Sequence, residues 1–222
     1  MLRFRFLGFP IFIQPWFWLI AAYISGAAHL RDANGLVTVL FCMAVVFISI
    51  LGHELGHALT IRRFGYESFI QLHGMGGVCT TPSRATTRWQ NILISSAGPA
   101  VGFLLAILFA LLVAFAFEPL VRLSQPLAVA VLLGLRVNLL WSFFNLLPVL
   151  PMDGGHIFRD IMGPRRLRAT FIVGGITAIL CAVVAIVFQY YFAAALLVYM
   201  AVQNFRGLPP PGGVETAPLP RA

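Results

Sequence analysis

The chain has 222 residues, of which 60% are hydrophobic and 10% charged, and its mean hydropathy is +0.92. That balance excludes a soluble globular domain and sets an integral membrane protein as the expectation. All fifteen basic residues are arginines, giving a net charge of +8, and they flank apolar segments instead of forming a basic patch interleaved with aromatics, so they read as topology signals and no nucleic acid is expected as a partner.

In chain order, Met1 to Gln14 alternates well enough for a short strand or an interfacial segment. It reads as retained, because Pro10 and Pro15 interrupt the apolar run and no small-residue cleavage site follows. A first spanning helix is expected from about Pro15 to Ala28, then a polar turn from His29 to Gly35. The second helix, Leu36 to about Ile61, ends in Arg62-Arg63. Residues 64–88 are too rich in Gly, Pro, Ser and Thr to span, and within them Ser68–Leu72 and Gly77–Thr81 read as two strands around a glycine turn. A third helix, Trp89 to Phe117, opens with small residues at positions 95–102 that allow close helix approach. After a polar connection from Glu118 to Pro126, a fourth helix runs from Leu127 to about Leu147 and carries Arg136, Asn138 and Asn145. Arg136 and Asn138 are expected to face the bundle interior or a hydrated vestibule, where polar groups at this depth belong.

Prolines and glycines between Pro148 and Gly155 break the chain there, and broken backbone at membrane depth lines a buried or hydrated site. A basic segment from Arg159 to Arg168 precedes two closely spaced helices, Thr170–Phe188 and Gln189–Gln203. Residues 1–206 form the expected core, and residues 207–222, rich in Pro and Gly, are expected to be disordered. The fold class is thus an all-α polytopic membrane protein of about six transmembrane helices, with a short membrane-associated β-hairpin. Twelve arginines fall on one side and two on the other, which puts both termini in the cytoplasm.

One stretch carries chemistry. His53-Glu54-Leu55-Gly56-His57 places two imidazoles four residues apart on one helix face, where both reach a single metal ion such as Zn²⁺. Glu54 lies close enough to take a proton from a metal-bound water, as metal-assisted hydrolysis requires. A bare motif of this kind also occurs on solvated helix faces, but a charge at membrane depth costs on the order of 3 kcal/mol and usually has a function. A catalytic zinc needs a third protein ligand. Only Glu54 and Asp153 among the seven acidic residues lie in or against expected spans, which favours Asp153, with His156 as a competing nitrogen ligand. The hairpin beside this site, Gly76, Gly77, Val78, Cys79 and Thr80, either captures an extended substrate along its free edge or is a structural loop. Cys42, Cys79 and Cys181 are odd in number and far apart, so they form neither a metal motif nor a disulfide framework. An ion transporter would show polar residues through the full membrane depth and often repeated halves, which this sequence lacks. An inert adaptor with a relic site is expected to have lost one of His53, Glu54, His57 or Asp153, and all four are present.

The sequence resembles the site-2 protease family of intramembrane zinc metalloproteases, peptidase family M50. The likeness rests on His53-Glu54-Leu55-Gly56-His57 paired with Asn145-Leu146-Leu147-Pro148 through Asp153-Gly154-Gly155, and it extends to residues 8–15, 74–77 and 96–100. It implies one Zn²⁺ per chain on His53, His57 and Asp153, Glu54 as the base, and Asn145 as a contact to the substrate carbonyl or its oxyanion. It also implies single-span membrane proteins as substrates, regulation by a membrane partner or by the substrate itself, and the bacterial inner membrane as the location. Relatives often carry Asn after A-G-P where this chain has Gly102, which removes a second polar contact from the third helix. With no room for a PDZ or CBS domain, a minimal catalytic core is expected.

Overall fold

The structure is a computed structural model that describes residues 1–29, 32–81 and 87–208. The expected tail lies almost wholly outside the described residues. Two compact units emerge, Met1–Ser83 with Ala97–Ser142, and Arg84–Ser96 with Phe143–Ala222.

The first unit begins with a small sheet of four strands, β1 (Leu2–Phe6), β2 (Phe9–Ile13), β3 (Phe69–His73) and β4 (Gly76–Thr80), in that spatial order. β1 and β2 form an antiparallel hairpin, β2 pairs in parallel with β3, and β3 pairs antiparallel with β4. The expected hairpin is therefore present within a residue of its predicted bounds, but as half of a larger mixed sheet. What local pattern could not show is the parallel Ile11–Ile70 pairing, made between segments far apart in sequence. Alternation decides which face is covered: Ile11, Ile13, Ile70 and Leu72 are fully buried and form one core with Phe17, Val46, Ile50 and Ala58.

Helix α1 (Pro15–Ile24) starts on Pro15, whose missing N–H is no loss in a first turn, and stops at Ser25 and Gly26, the latter at φ 83°. Its ten residues rise about 15 Å, half of a ~30 Å hydrocarbon core, so the span expected to reach Ala28 ends early. Helix α2 (Ala33–Arg63) is capped by Asp32, whose side chain accepts the Gly35 N–H at 2.7 Å, and it ends on two arginines that suit the negative end of its dipole. Helix α3 (Arg88–Leu123) starts in the second unit, runs into the first and absorbs the segment expected to be a connection. An exposed Glu118–Arg122 pair one turn apart, at 3.5 Å, accompanies the continued helix there. Helix α4 (Gln125–Asn145) follows after one residue.

In the second unit, α5 (Asp153–Met162) precedes a hairpin of α6 (Leu167–Val187) and α7 (Tyr191–Arg206). Ala182, Ala185, Ala194 and Leu197 form the contact of that hairpin, small residues that let two helices approach closely. The Arg88 guanidinium donates to the carbonyls of Asp160 and Ile161 at the end of α5. Four helices among the described residues, Ala33–Arg63, Arg88–Leu123, Gln125–Asn145 and Pro164–Val187, are long and apolar enough to cross a membrane. The protein is mostly helical with a small sheet.

Candidate metal centre

Helix α2 places His53, Glu54 and His57 in its buried half, at 2%, 3% and 7% exposure. The two imidazoles point to one spot, with Nε2 atoms 3.2 Å apart and ring planes at 76°. Two nitrogens bound at ~2.05 Å to a tetrahedral ion would stand about 3.3 Å apart, so the spacing fits a shared metal. Helix α3 makes this possible by presenting Gly98. A Cβ at that position would collide with Nε2 of His57 and sit 2.7 Å from Nε2 of His53. One turn further on, a Cβ at Gly102 would run into the Ser142 hydroxyl, so α4 fills the space there.

On its other side Glu54 meets β4. A Cβ on Gly77 would overlap the Glu54 side chain, lying 2.6 Å from its Cδ and Oε1, while a Cβ on Gly76 would lie 2.6 Å from the Trp141 ring. The predicted hairpin residues thus do reach the glutamate. β4 is an edge strand with Val78 and Thr80 exposed and Gly76 buried. The Cys79 thiol is pushed up to about 12, by burial first and by the nearby Glu54 charge second, with a hydrogen bond to Ser68 opposing.

Asn145 is the last residue of α4 and Asp153 the first of α5, both partly exposed. Asp153 opens a helix and does not sit within the broken stretch. The chain folds back so tightly there that a Cβ on Gly154 would strike the Leu146 carbonyl and one on Gly155 would lie 2.5 Å from the Val149 backbone, which is the physical requirement behind the Asp-Gly-Gly run. The competing nitrogen ligand, His156, follows one turn into α5. A backbone hydrogen bond to Pro151 holds its imidazole, which is kept below its ordinary range by burial and then by Arg159, against the pull of Asp153 and Asp160. The first unit thus offers two buried imidazoles, His53 and His57, and the second a partly exposed carboxylate, Asp153.

Of the two polar residues within α4, Asn138 is interior and donates to the Ser49 hydroxyl at 2.7 Å and to the Gly134 carbonyl at 2.8 Å. Arg136 is exposed, which removes it from the bundle interior that Asn138 occupies. Positions two apart on a helix differ by about 200°, so the pair cannot share a face. Trp141 and Ser142 were not singled out from sequence, since an aromatic and a small residue in an apolar helix carry no signal of what they touch.

The fold and the histidine pair define a helical membrane protein with a buried metal-ligand cluster. Residues 41–129 match Peptidase family M50, a stretch that holds His53, Glu54, His57 and the β3–β4 hairpin and ends before Asn145 and Asp153. The zinc metalloprotease of Methanocaldococcus jannaschii is 31% identical over 176 residues, covering 78% of this chain and 49% of that protein. A relative from Synechocystis sp. is 32% identical over 164 residues, 70% of this chain and 42% of its own length. This chain thus spans about half, or less, of the length of these curated relatives. Among solved structures, the site-2 protease from Methanocaldococcus jannaschii is similar in fold, with a TM-score of 0.57 at 23% identity over 94% of this chain and 97% of that one. The match over residues 41–129 agrees with the resemblance carried by the motifs.

Proposed function

We propose that this chain is an intramembrane zinc metalloprotease that cleaves the membrane-spanning segments of single-span proteins. The observation that carries the reading is the His53–His57 pair, converging to 3.2 Å with Glu54 buried beside it under β4. His53, His57 and Asp153 hold one zinc ion, a donor set of two imidazoles and a carboxylate that leaves a coordination position open. When bound, zinc polarises the scissile carbonyl and lowers the pKa of water in the site to about 7. Glu54 accepts the proton released as that water attacks and passes it to the leaving amine. Asn145 donates to the carbonyl oxygen as it gains negative charge. Carbonyls in a helical substrate are already hydrogen-bonded, so the segment unwinds before attack, and the free edge of β4 pairs with it through main-chain groups.

In this reading α1, together with the residues that link it to α2, and α7 join the four long helices to complete six crossings, with both termini cytoplasmic in a bacterial inner membrane. Another membrane protein or the substrate itself sets when cleavage occurs. The test is Glu54→Gln. The variant should fold and keep zinc while cleavage of a single-span substrate falls by roughly 10²- to 10⁴-fold, the range for a lost acid–base group. Turnover near wild type would remove Glu54 as the base.

A further inference from the structure

Asp153 follows directly on the turn Pro148–Met152, so the direction of its side chain depends on how that turn is held. Inside the turn, the Val149 N–H donates to the Leu147 carbonyl at 2.7 Å and the Met152 N–H to the Val149 carbonyl at 2.8 Å. Val149 and Met152 are buried against Ala178 of α6 and against Met200 and Ala201 of α7. Asn204, on α7 and 1% exposed, adds a polar tie. Its Nδ2 donates to the Leu150 carbonyl at 2.7 Å and to the Met200 carbonyl of its own helix at 2.8 Å. Its Oδ1 is buried without a hydrogen-bond partner among the described residues and rests against Gly174 of α6.

An amide with a buried, unsatisfied oxygen is a poor choice for packing, because an apolar side chain of similar size would avoid that penalty. What the amide does and leucine cannot is hold the Leu150 carbonyl, three residues ahead of Asp153. We propose that Asn204 is a positioning residue of the metal centre, fixing the turn from which Asp153 reaches the zinc. This rests on the assignment of Asp153 as a ligand. Groups that orient a ligand without touching the metal typically change its affinity by about 10- to 100-fold.

The experiment measures zinc affinity of the purified full chain by chelator competition, together with the melting temperature of the zinc-stripped protein. The variants are Asn204→Leu, Gly174→Ala, Asp153→Ala and, as a control on an exposed face of α7, Val202→Ala. Gly174→Ala keeps the asparagine but places a methyl against its Oδ1 and 3.0 Å from the Pro148 carbonyl, so it displaces the tie without removing it. Asn204→Leu and Gly174→Ala should each bind zinc at least tenfold more weakly, while their stripped forms melt close to the stripped wild type and Val202→Ala is unchanged. Should Asn204→Leu fail to fold, Gly174→Ala decides by the same readouts. Wild-type affinity in the folded variants, with zinc lost in Asp153→Ala, would overturn the positioning role and leave the ligand assignment standing. Loss of zinc accompanied by an equal fall in the stripped melting temperature would also overturn it, as general core damage. Full zinc retention in Asp153→Ala refutes the ligand assignment and this inference with it.

Discussion

Gly98→Ala is the sharpest perturbation of the histidine pair, because it adds one methyl and removes no ligand. The new Cβ would lie 2.7 Å from the His53 Nε2 and 2.5 Å from the His57 Cε1. A comfortable contact needs about 3.5 Å, so the rings have to retreat by roughly 0.8 to 1 Å or the helices have to part. Next to this contact the helices already approach closely, since a Cβ on Gly56 would lie 2.6 Å from the Ala97 carbonyl oxygen. Metal–ligand distances tolerate only about 0.2 Å, so a retreat of this size takes both imidazoles out of range together. Zinc affinity should drop by at least about 100-fold, beyond the usual loss from an indirect change, with about 1–3 kcal/mol of folding stability lost to overpacking. Gly52→Ala is the matched control on the same two helices, since its Cβ meets only the movable end of Leu105 at 3.0 Å. The assay is elemental zinc content and chelator competition, followed by cleavage of a membrane-anchored reporter. Stoichiometric, tightly held zinc in Gly98→Ala would refute the claim that the two imidazoles meet their metal on the face toward α3.

Asn145→Ala should keep zinc and substrate affinity but lower kcat about 10²- to 10³-fold, as loss of an oxyanion donor does; a change in KM alone would reassign Asn145 to binding. Backbone N–H groups alternate sides along a strand, so of a proline at Val78 and one at Cys79 only the variant whose N–H points away from β3 should impair cleavage, more for a helical membrane substrate than for a short extended peptide. Equal loss on both substrates in either folded variant, read beside its zinc content and melting temperature, would return β4 to a structural part.

Much of the centre was legible because its chemistry is local. His53 and His57 share a face by helix geometry alone, and an apolar setting makes their polarity conspicuous. The strands β3 and β4 were legible from alternation and from the glycines between them. The part that stayed hidden is set by contacts distant in sequence. β1 and β2 read as a strand or an interfacial segment, and nothing in residues 2–13 announces a parallel partner at Phe69–His73. Gly98 read as a packing residue among others, although its neighbours are the two candidate ligand imidazoles. Asn204 sits in Gln203-Asn204-Phe205-Arg206, an ordinary polar end of an apolar helix, and only the folded chain shows that its amide reaches Leu150.

The same contacts that shelter the histidines also constrain how hydrolysis can begin. With Glu54 at 3% exposure and β4 resting on its carboxyl through Gly77, a proton acceptor is present where bulk water is not. On the proposed function, hydrolysis needs water at Glu54, and β4 would have to move away from α2 to admit it. Its place in the sheet allows this: an edge strand is bonded to β3 alone, and Gly76, at φ 118°, occupies backbone space that a side-chain-bearing residue rarely adopts. The opposite wall differs, since Gly98 and Gly56 set α3 against α2 with no slack. On that proposal, binding an extended segment to β4 and admitting water to Glu54 would be one event.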